Sequence, residues 1–396
     1  MKYILLSFSS LIAMAVHAQN VQRFHDRLLL VDTHNDILEQ CTGKGFSFDQ
    51  NLKGKAQSDL ARFKQGGVDV QIFSVWCDGT QKNPFAFANR QMDTLDAIVK
   101  RNPDKIVKVG NTKELKQAVK KHKLAAMFGV EGGHMMEDNL ANLDSMYKRG
   151  TRYMTLTWNN STNWASSAFD ETASLRTPQK EGDKKLVKGL SAFGKEVVKH
   201  MNELGMMVDL SHVGEQTFWD VINTTSKPVL VSHSSVYALC PAFRNLKDDQ
   251  IKAVAKNGGV IDVNFFSGFL DSNYEKRNTA FALKHKAEKD SLMKINPEPY
   301  FTDEYLFNRY PDEVKGLRPP LSLLISHIDY IVKLVGVDYV GIGSDFDGIN
   351  SSPQQLDDVT SYPLITKALL DKGYSKKDIR KIYGENFLRV FKANEK

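Results

Sequence analysis

The sequence predicts an α/β fold, a (β/α)8 TIM-type barrel, on three observations. Short apolar, β-branched runs recur eight times. Each is followed by a stretch with helical periodicity. The runs are nearly continuous in apolar character rather than alternating, which suits a parallel sheet covered on both faces.

In chain order the eight runs are RLLLVDTH (27–34), VDVQIFSVW (68–76), KLAAMFGVEGG (123–133), RYMTLTW (152–158), GMMVDLSH (205–212), KPVLVSHSS (227–235), GGVIDVNFF (258–266) and DYVGIGSDFDG (338–348). Amphipathic helices are expected between them, for example over 86–101, 186–204 and 321–335. In SHVGEQTFWDVI, Glu215 and Gln216 fall in the first turn after a loop, where a helix start favours them. An open doubly wound sheet is the alternative. It would place a Gly-rich phosphate turn after its first strand, and none is present.

Two segments break the alternation. Residues 158–185 read as a long polar and aromatic loop, and 267–320 as an insertion rich in Lys, Glu, Tyr and Pro. Long loops of this kind build the active end of a barrel, as lids or substrate walls. Surface decoration, or an oligomer contact in a homodimer, is the other reading of 267–320.

The first 18 residues read as an export leader. Lys2 is followed by an apolar stretch, YILLSFSSLIAMAV, and small side chains stand at Val16 and Ala18 before Gln19. The stretch is short of the ~20 apolar residues that span a bilayer. No later segment is apolar for long enough. The expected organisation is a leader over 1–18 and a single catalytic barrel over 19–396, exported to a periplasm or secreted, with no transmembrane span in the mature chain. Composition is that of a globular protein, with 41% hydrophobic and 25% charged residues and a net charge of +6. The basic residues are scattered: KKHK (120–123) and EGDKKLVK (181–188) look like solvated helix ends. No nucleic-acid partner is expected. Three cysteines, Cys41, Cys77 and Cys240, form no C-x-x-C pair. One disulfide or three unpaired thiols both fit.

The polar residues fall in one kind of place. The first run ends in His34 and Asp36, the third in Glu131, the fifth in His212, the sixth in His233 and the eighth in Asp345. In a parallel barrel every strand C-terminus lies at one face, so six candidate ligands would converge there. Residues i and i+2 of an extended segment point the same way, which would aim His34 and Asp36 at one ion. Burying imidazoles and carboxylates is costly unless they are paired or bind metal. Histidine with carboxylate and no thiolate suits zinc, manganese, iron or cobalt. Each residue also has an ordinary reading. A lone strand-end histidine is commonly just hydrogen-bonded, Asp36 or Asp345 could cap the next helix, and Glu131 could sit in the turn at Gly132 and Gly133.

The stretches VDTHNDIL, GVEGGHMM, VDLSHVG, PVLVSHSSVYALCPAFRNLKDDQI, VNFF and VGIGSDFDGI resemble the membrane dipeptidase (renal dipeptidase) family, the M19 metallopeptidases, over about residues 27–392. The resemblance implies a (β/α)8 barrel of the metal-dependent hydrolase kind with two divalent ions, zinc by preference. It implies that His34 and Asp36 bind the first ion, Glu131 bridges both, and His212 and His233 complete the second. Asp345 would be the acid/base, unless it ligates metal. Arg244 would hold the substrate carboxylate, unless it forms a structural ion pair. The implied reaction is hydrolysis of a dipeptide by a hydroxide bridging the ions. One departure stands out: many members carry a histidine after the LT of the fourth strand, near the reacting carbonyl, and here TLTWNNSTNWA puts Trp158 there. An indole donates one hydrogen bond but carries no proton or charge. That keeps open a related binuclear amidohydrolase acting on N-acyl amino acids, lactams or cyclic amides; a non-catalytic exported binding protein is a separate alternative.

Overall fold

The computed structural model describes residues 19–176, 186–295 and 299–396. The leader at 1–18, and residues 181–185 of the second basic stretch, lie outside the described residues. The strands are β1 (Leu30–Asn35), β2 (Val68–Trp76), β3 (Ile106–Lys108), β4 (Leu124–Glu131), β5 (Thr151–Thr155), β6 (Met207–Asp209), β7 (Leu230–Ser234), β8 (Val260–Val263) and β9 (Val340–Ile342). All ladders are parallel, in the order β1-β2-β4-β5-β6-β7-β8-β9. The eight expected strands are all present and form the nearly closed barrel. A ninth strand, β3, is not among the expected ones: it has three residues and pairs with the start of β4 off the main path. Three residues are too few to show a period.

The barrel closes between β9 and β1 without a regular ladder. Asp345 N–H donates to His34 O at 3.1 Å and Asp36 N–H to Phe346 O at 2.9 Å, with a parallel bridge between Asn35 and Phe346. The seam is therefore built from residues that also carry the polar side chains.

Polarity changes along the strands. Val31, Val70, Ala125, Met207, Leu230 and Val260, near the strand starts, form an apolar floor with Phe387, Val390 and Phe391 of the last helix (Asn386–Asn394). Burying each large apolar side chain contributes roughly 1.5–3 kcal/mol, so the floor fixes the barrel from below. Imidazoles and carboxylates occupy the other end. Between barrel and helices lies a larger apolar layer that includes Phe48, Phe63, Phe73, Leu95, Phe128, Met201, Phe218 and Ile328.

The helices start where local chemistry allows. Pro84 opens Pro84–Arg101 with its fixed φ. Ser191 caps Ala192–Leu204 by accepting from Gly194 N–H. That helix begins six residues later than the periodicity indicated, because 186–191 run irregularly and Leu190 bridges Ala165. Glu215–Thr224 and Leu321–Val335 fall where expected. The insertion after β8 is helical, with segments Ser267–Leu270, Tyr274–Lys284, Lys286–Ile295, Pro299–Arg309 and Pro311–Leu317. It has a small core of its own, Tyr274, Phe281, Leu306, Phe307 and Leu317. Among the described residues, no helix is long and apolar enough to cross a membrane. All three cysteines are free and buried.

Asp69, in β2, accepts from the first N–H of β1, that of Leu30, at 3.0 Å. Burial pushes its carboxyl up to about 6. The folded chain thus holds this proton more tightly than the unfolded chain does, and stability falls as pH rises from about 4 to 6. Asp69→Asn keeps an acceptor oxygen and removes the ionisation. It is expected to stabilise the protein by about 2 kcal/mol at pH 7 and not at all below pH 4. Urea melts of both proteins at the two pH values check this, and equal midpoints at pH 7 would refute it.

Candidate metal centre

His34, Asp36, Glu131, His212, His233 and Asp345 all meet at the C-terminal mouth of the barrel. His34 Nε2 lies 3.4 Å from Asp36 Oδ2, 3.3 Å from Glu131 Oε2 and 4.0 Å from Asp345 Oδ1. The second Glu131 oxygen, Oε1, lies 2.8 Å from His212 Nε2 and 3.4 Å from His233 Nε2. Two overlapping sets, His34–Glu131–His233 and His34–Asp36–Asp345, have ligand atoms within 4.8 Å of one another. Glu131 thus faces His34 with one oxygen and the other two imidazoles with the second.

Asp36 precedes the helix Ile37–Lys44 but makes no capping bond, and its Oδ1 is buried without a hydrogen-bond partner. The capping is done by Asn35, whose Oδ1 accepts from Ile37 N–H at 3.0 Å. His34 and Asp36 do aim at one point, though not by strand alternation alone: the strand ends at Asn35, and Asp36 has φ −99° and ψ 16°. His212 and Asp345 have likewise left their strands, each with φ of 64°. Non-glycine residues in this left-handed region are uncommon, and the strain concentrates at functional sites. Asp345 caps no helix. Its Oδ2 accepts from Asn264 Nδ2 at 2.8 Å, which gives the VNFF motif a task that sequence reading left unassigned.

The imidazoles are set by contacts at Nδ1. His34 Nδ1 lies 2.8 Å from Tyr153 Oη, and that hydroxyl donates to Thr33 O at 3.0 Å. A phenol has one proton to give, so His34 Nδ1–H is the donor to Tyr153, and in the neutral ring Nε2 keeps a lone pair. His212 Nδ1 lies 3.3 Å from Asn159 Oδ1, and His233 Nδ1 lies 2.8 Å from Ser232 Oγ. Neither Tyr153 nor Asn159 is marked as a support in the sequence, since each is distant in the chain from the ring it holds.

Do these residues fit a divalent cation? His34 Nε2 is buried with no hydrogen-bond partner. The His212 and His233 Nε2 atoms face each other at 3.0 Å. Burial, with Arg244 nearby, pushes His212 down to about 4, and burial with His34 holds His233 well below its usual value. Both rings are therefore neutral electron-pair donors. Burial and the like charges of Asp36 and Glu131 drive the Asp345 carboxyl well above its usual range. Burial opposes charge on His34, yet Tyr153, Asp36 and Glu131 hold its pKa well above the ordinary imidazole value. The cluster calls for positive charge at the point where the ligand atoms converge, and its donor set fits a divalent ion.

Arg244 is buried at the same mouth. It donates to Ser234 Oγ at 3.2 Å and His233 O at 3.3 Å, and its guanidinium lies 5.4 Å over the Phe269 ring. It makes no ion pair among the described residues, and its Nε has no partner. The structural ion pair that the sequence left open is absent there. Trp158 is half-buried beside the centre, edge-on to Trp76 at 5.0 Å and 6.4 Å from the His212 ring.

An eight-stranded parallel barrel with histidines and carboxylates gathered at its C-terminal mouth defines the class of barrel metallohydrolases. The model of the family "Membrane dipeptidase (Peptidase family M19)" matches residues 18–396, and the chain belongs to this family. It is a metallo-dipeptidase, and membership implies a divalent metal and a small peptide substrate. The resemblance drawn from the motifs is borne out. The chain is similar to the crystal structure of the probable dipeptidase PvdM from Pseudomonas aeruginosa, at 25% identity and TM-score 0.76 over 95% of this chain and 98% of that one. In fold it is also similar to a metallopeptidase from Rhodobacter sphaeroides liganded with a phosphinate mimic of the dipeptide L-Ala-D-Ala, at 21% identity and TM-score 0.74 over 93% and 99%. A further fold match is dipeptidase AC, a metallopeptidase of family M19, at 22% identity and TM-score 0.73 over 93% and 98%.

Gly348 lets the two carboxylates of the seam approach. A Cβ there would overlap Asp36 Oδ2 and come within 2.7 Å of Asp345 Oδ1. Gly348→Ala is therefore expected to lower bound metal per chain with little loss of helix content. Elemental analysis of the purified variant, alongside circular dichroism, checks this; wild-type metal content would count against the crowding argument.

Proposed function

We propose that the protein is a zinc-dependent dipeptidase with a two-ion centre, in which His34 and Asp36 hold one ion, His212 and His233 the other, and Glu131 bridges them. The observation that carries this reading is the two-sided Glu131 carboxylate, with Oε2 toward His34 and Oε1 toward His212 and His233. When bound, divalent ions in this position supply Lewis acidity and bring the pKa of a water toward neutrality.

The chain's own groups do the rest. Asp345 is anchored through Oδ2 by Asn264, which leaves Oδ1 on the side of Asp36 and His34. From there it takes the proton of the attacking water and passes it to the leaving amine nitrogen. Arg244 binds the free C-terminal carboxylate through charge-assisted bonds, and so selects short substrates over long chains. Its lack of a carboxylate partner among the described residues supports that role. Trp158 closes one side of the mouth and keeps bulk water from the reacting carbonyl. A second reading rests on the same Trp158: an N-acyl amino acid, lactam or cyclic amide also offers an amide bond, and an indole wall accepts its apolar part. Activity on Xaa–L and Xaa–D dipeptides measured beside these compounds separates the two. Export is part of the proposal, supported by Lys2, the apolar stretch after it and the small residues before Gln19. N-terminal sequencing of the protein from its native source should begin at Gln19.

Asp345→Ala should leave the metal content intact and lower kcat by about 10²–10⁴-fold. Full turnover in that variant would end the acid/base assignment. Arg244→Met should lower kcat/KM for a dipeptide by about 100-fold, in line with the loss of a buried charge-assisted pair. For the matching dipeptide amide, which lacks the carboxylate, it should change little. Equal losses on both substrates would show that Arg244 does not read the carboxylate.

A further inference from the structure

The orientation of His233 leads back to a residue outside the metal cluster. His233 Nδ1 lies 2.8 Å from Ser232 Oγ, and that hydroxyl lies 2.7 Å from Asp209 Oδ2. Asp209 is fully buried at the end of β6. It also accepts from Thr155 Oγ1 at 2.5 Å, from Ser232 N–H at 2.8 Å and from Ser211 N–H at 3.2 Å. Two of these donors are backbone N–H groups, so the carboxylate is held as an acceptor. It makes no ion pair among the described residues.

A serine hydroxyl has one proton. With Asp209 as acceptor, that proton goes to Oδ2, and Ser232 Oγ turns a lone pair toward His233. The imidazole must then carry its hydrogen on Nδ1. Its Nε2 is left as a bare donor, facing Glu131 Oε1 at 3.4 Å and His212 Nε2 at 3.0 Å. The opposite tautomer would set Nε2–H against the place where a cation belongs. It would also leave Nδ1 without a donor.

We propose that Asp209 is a positioning residue that acts through Ser232 to hold His233 in the Nδ1–H tautomer and so makes it a ligand for a divalent ion. This rests on the reading that His233 holds metal. The Tyr153 contact to His34 ends on a backbone carbonyl, whereas this one ends on a carboxylate, whose charge makes the imidazole a stronger electron-pair donor. Thr155 touches the same carboxylate but lies off the path to His233, so it provides a matched control.

The test is titration of the full chain, stripped by chelation, with zinc alone, followed by calorimetry. The wild-type protein is expected to bind two zinc ions. Ser232→Ala and Asp209→Asn should each weaken one of them about 10–100-fold and leave the other in place. Thr155→Val also removes one hydrogen bond from Asp209, and should keep wild-type affinity at both sites. Ser232→Ala carries the test if Asp209→Asn does not fold. Unchanged affinity in a folded Ser232→Ala protein would overturn the inference, and so would equal weakening in Ser232→Ala and Thr155→Val. If the wild-type chain itself bound no zinc, the proposed centre would fall and the inference with it.

Discussion

The seam between β9 and β1 is where the molecule is most constrained. Asp345 N–H and Asp36 N–H cross it to His34 O and Phe346 O, and the three side chains that begin the cluster, His34, Asp36 and Asp345, leave the backbone within that same stretch. A shift in how the sheet closes would therefore move ligand atoms directly. A slip of β4 or β7 would displace Glu131 or His233 in the same way. The floor of apolar residues at the strand starts, plugged by Phe387, Val390 and Phe391, opposes such a slip from the other end.

Around the seam, the chain accepts local costs in return for convergence. His212 and Asp345 sit in the left-handed region, at about 1–3 kcal/mol each for a non-glycine residue. Arg244 is buried without an ion pair among the described residues. Glu131 is buried within a few ångströms of three imidazoles. Left empty, such a cluster would destabilise the barrel. A divalent ion bound where the lone pairs meet would offset the cost and couple folding energy to metal binding.

Much of this arrangement was legible in the sequence. Eight apolar runs with polar ends gave the barrel and the list His34, Asp36, Glu131, His212, His233 and Asp345, because period and position along a strand are local properties. Strand alternation is an incomplete reason for the approach of His34 and Asp36, since Asp36 lies beyond the strand. What escaped was short or distant: β3, with three residues, and the supports Tyr153, Asn159 and Asn264. Tyr153 stands 119 residues from His34 in the chain, and no periodicity links the two.

The sequence by itself determined the barrel, the polarity that runs from its apolar floor to its polar mouth, and the residue types gathered there. Only the tertiary structure decided that Glu131 turns one oxygen to each side, that Asn35 rather than Asp36 caps the helix, and which hydroxyl sets each imidazole. The physical reason is that a hydrogen bond or a shared ion depends on separations of about 3 Å across the barrel, and those separations are fixed by ladder register and closure, neither of which is written in the order of residues along any one strand.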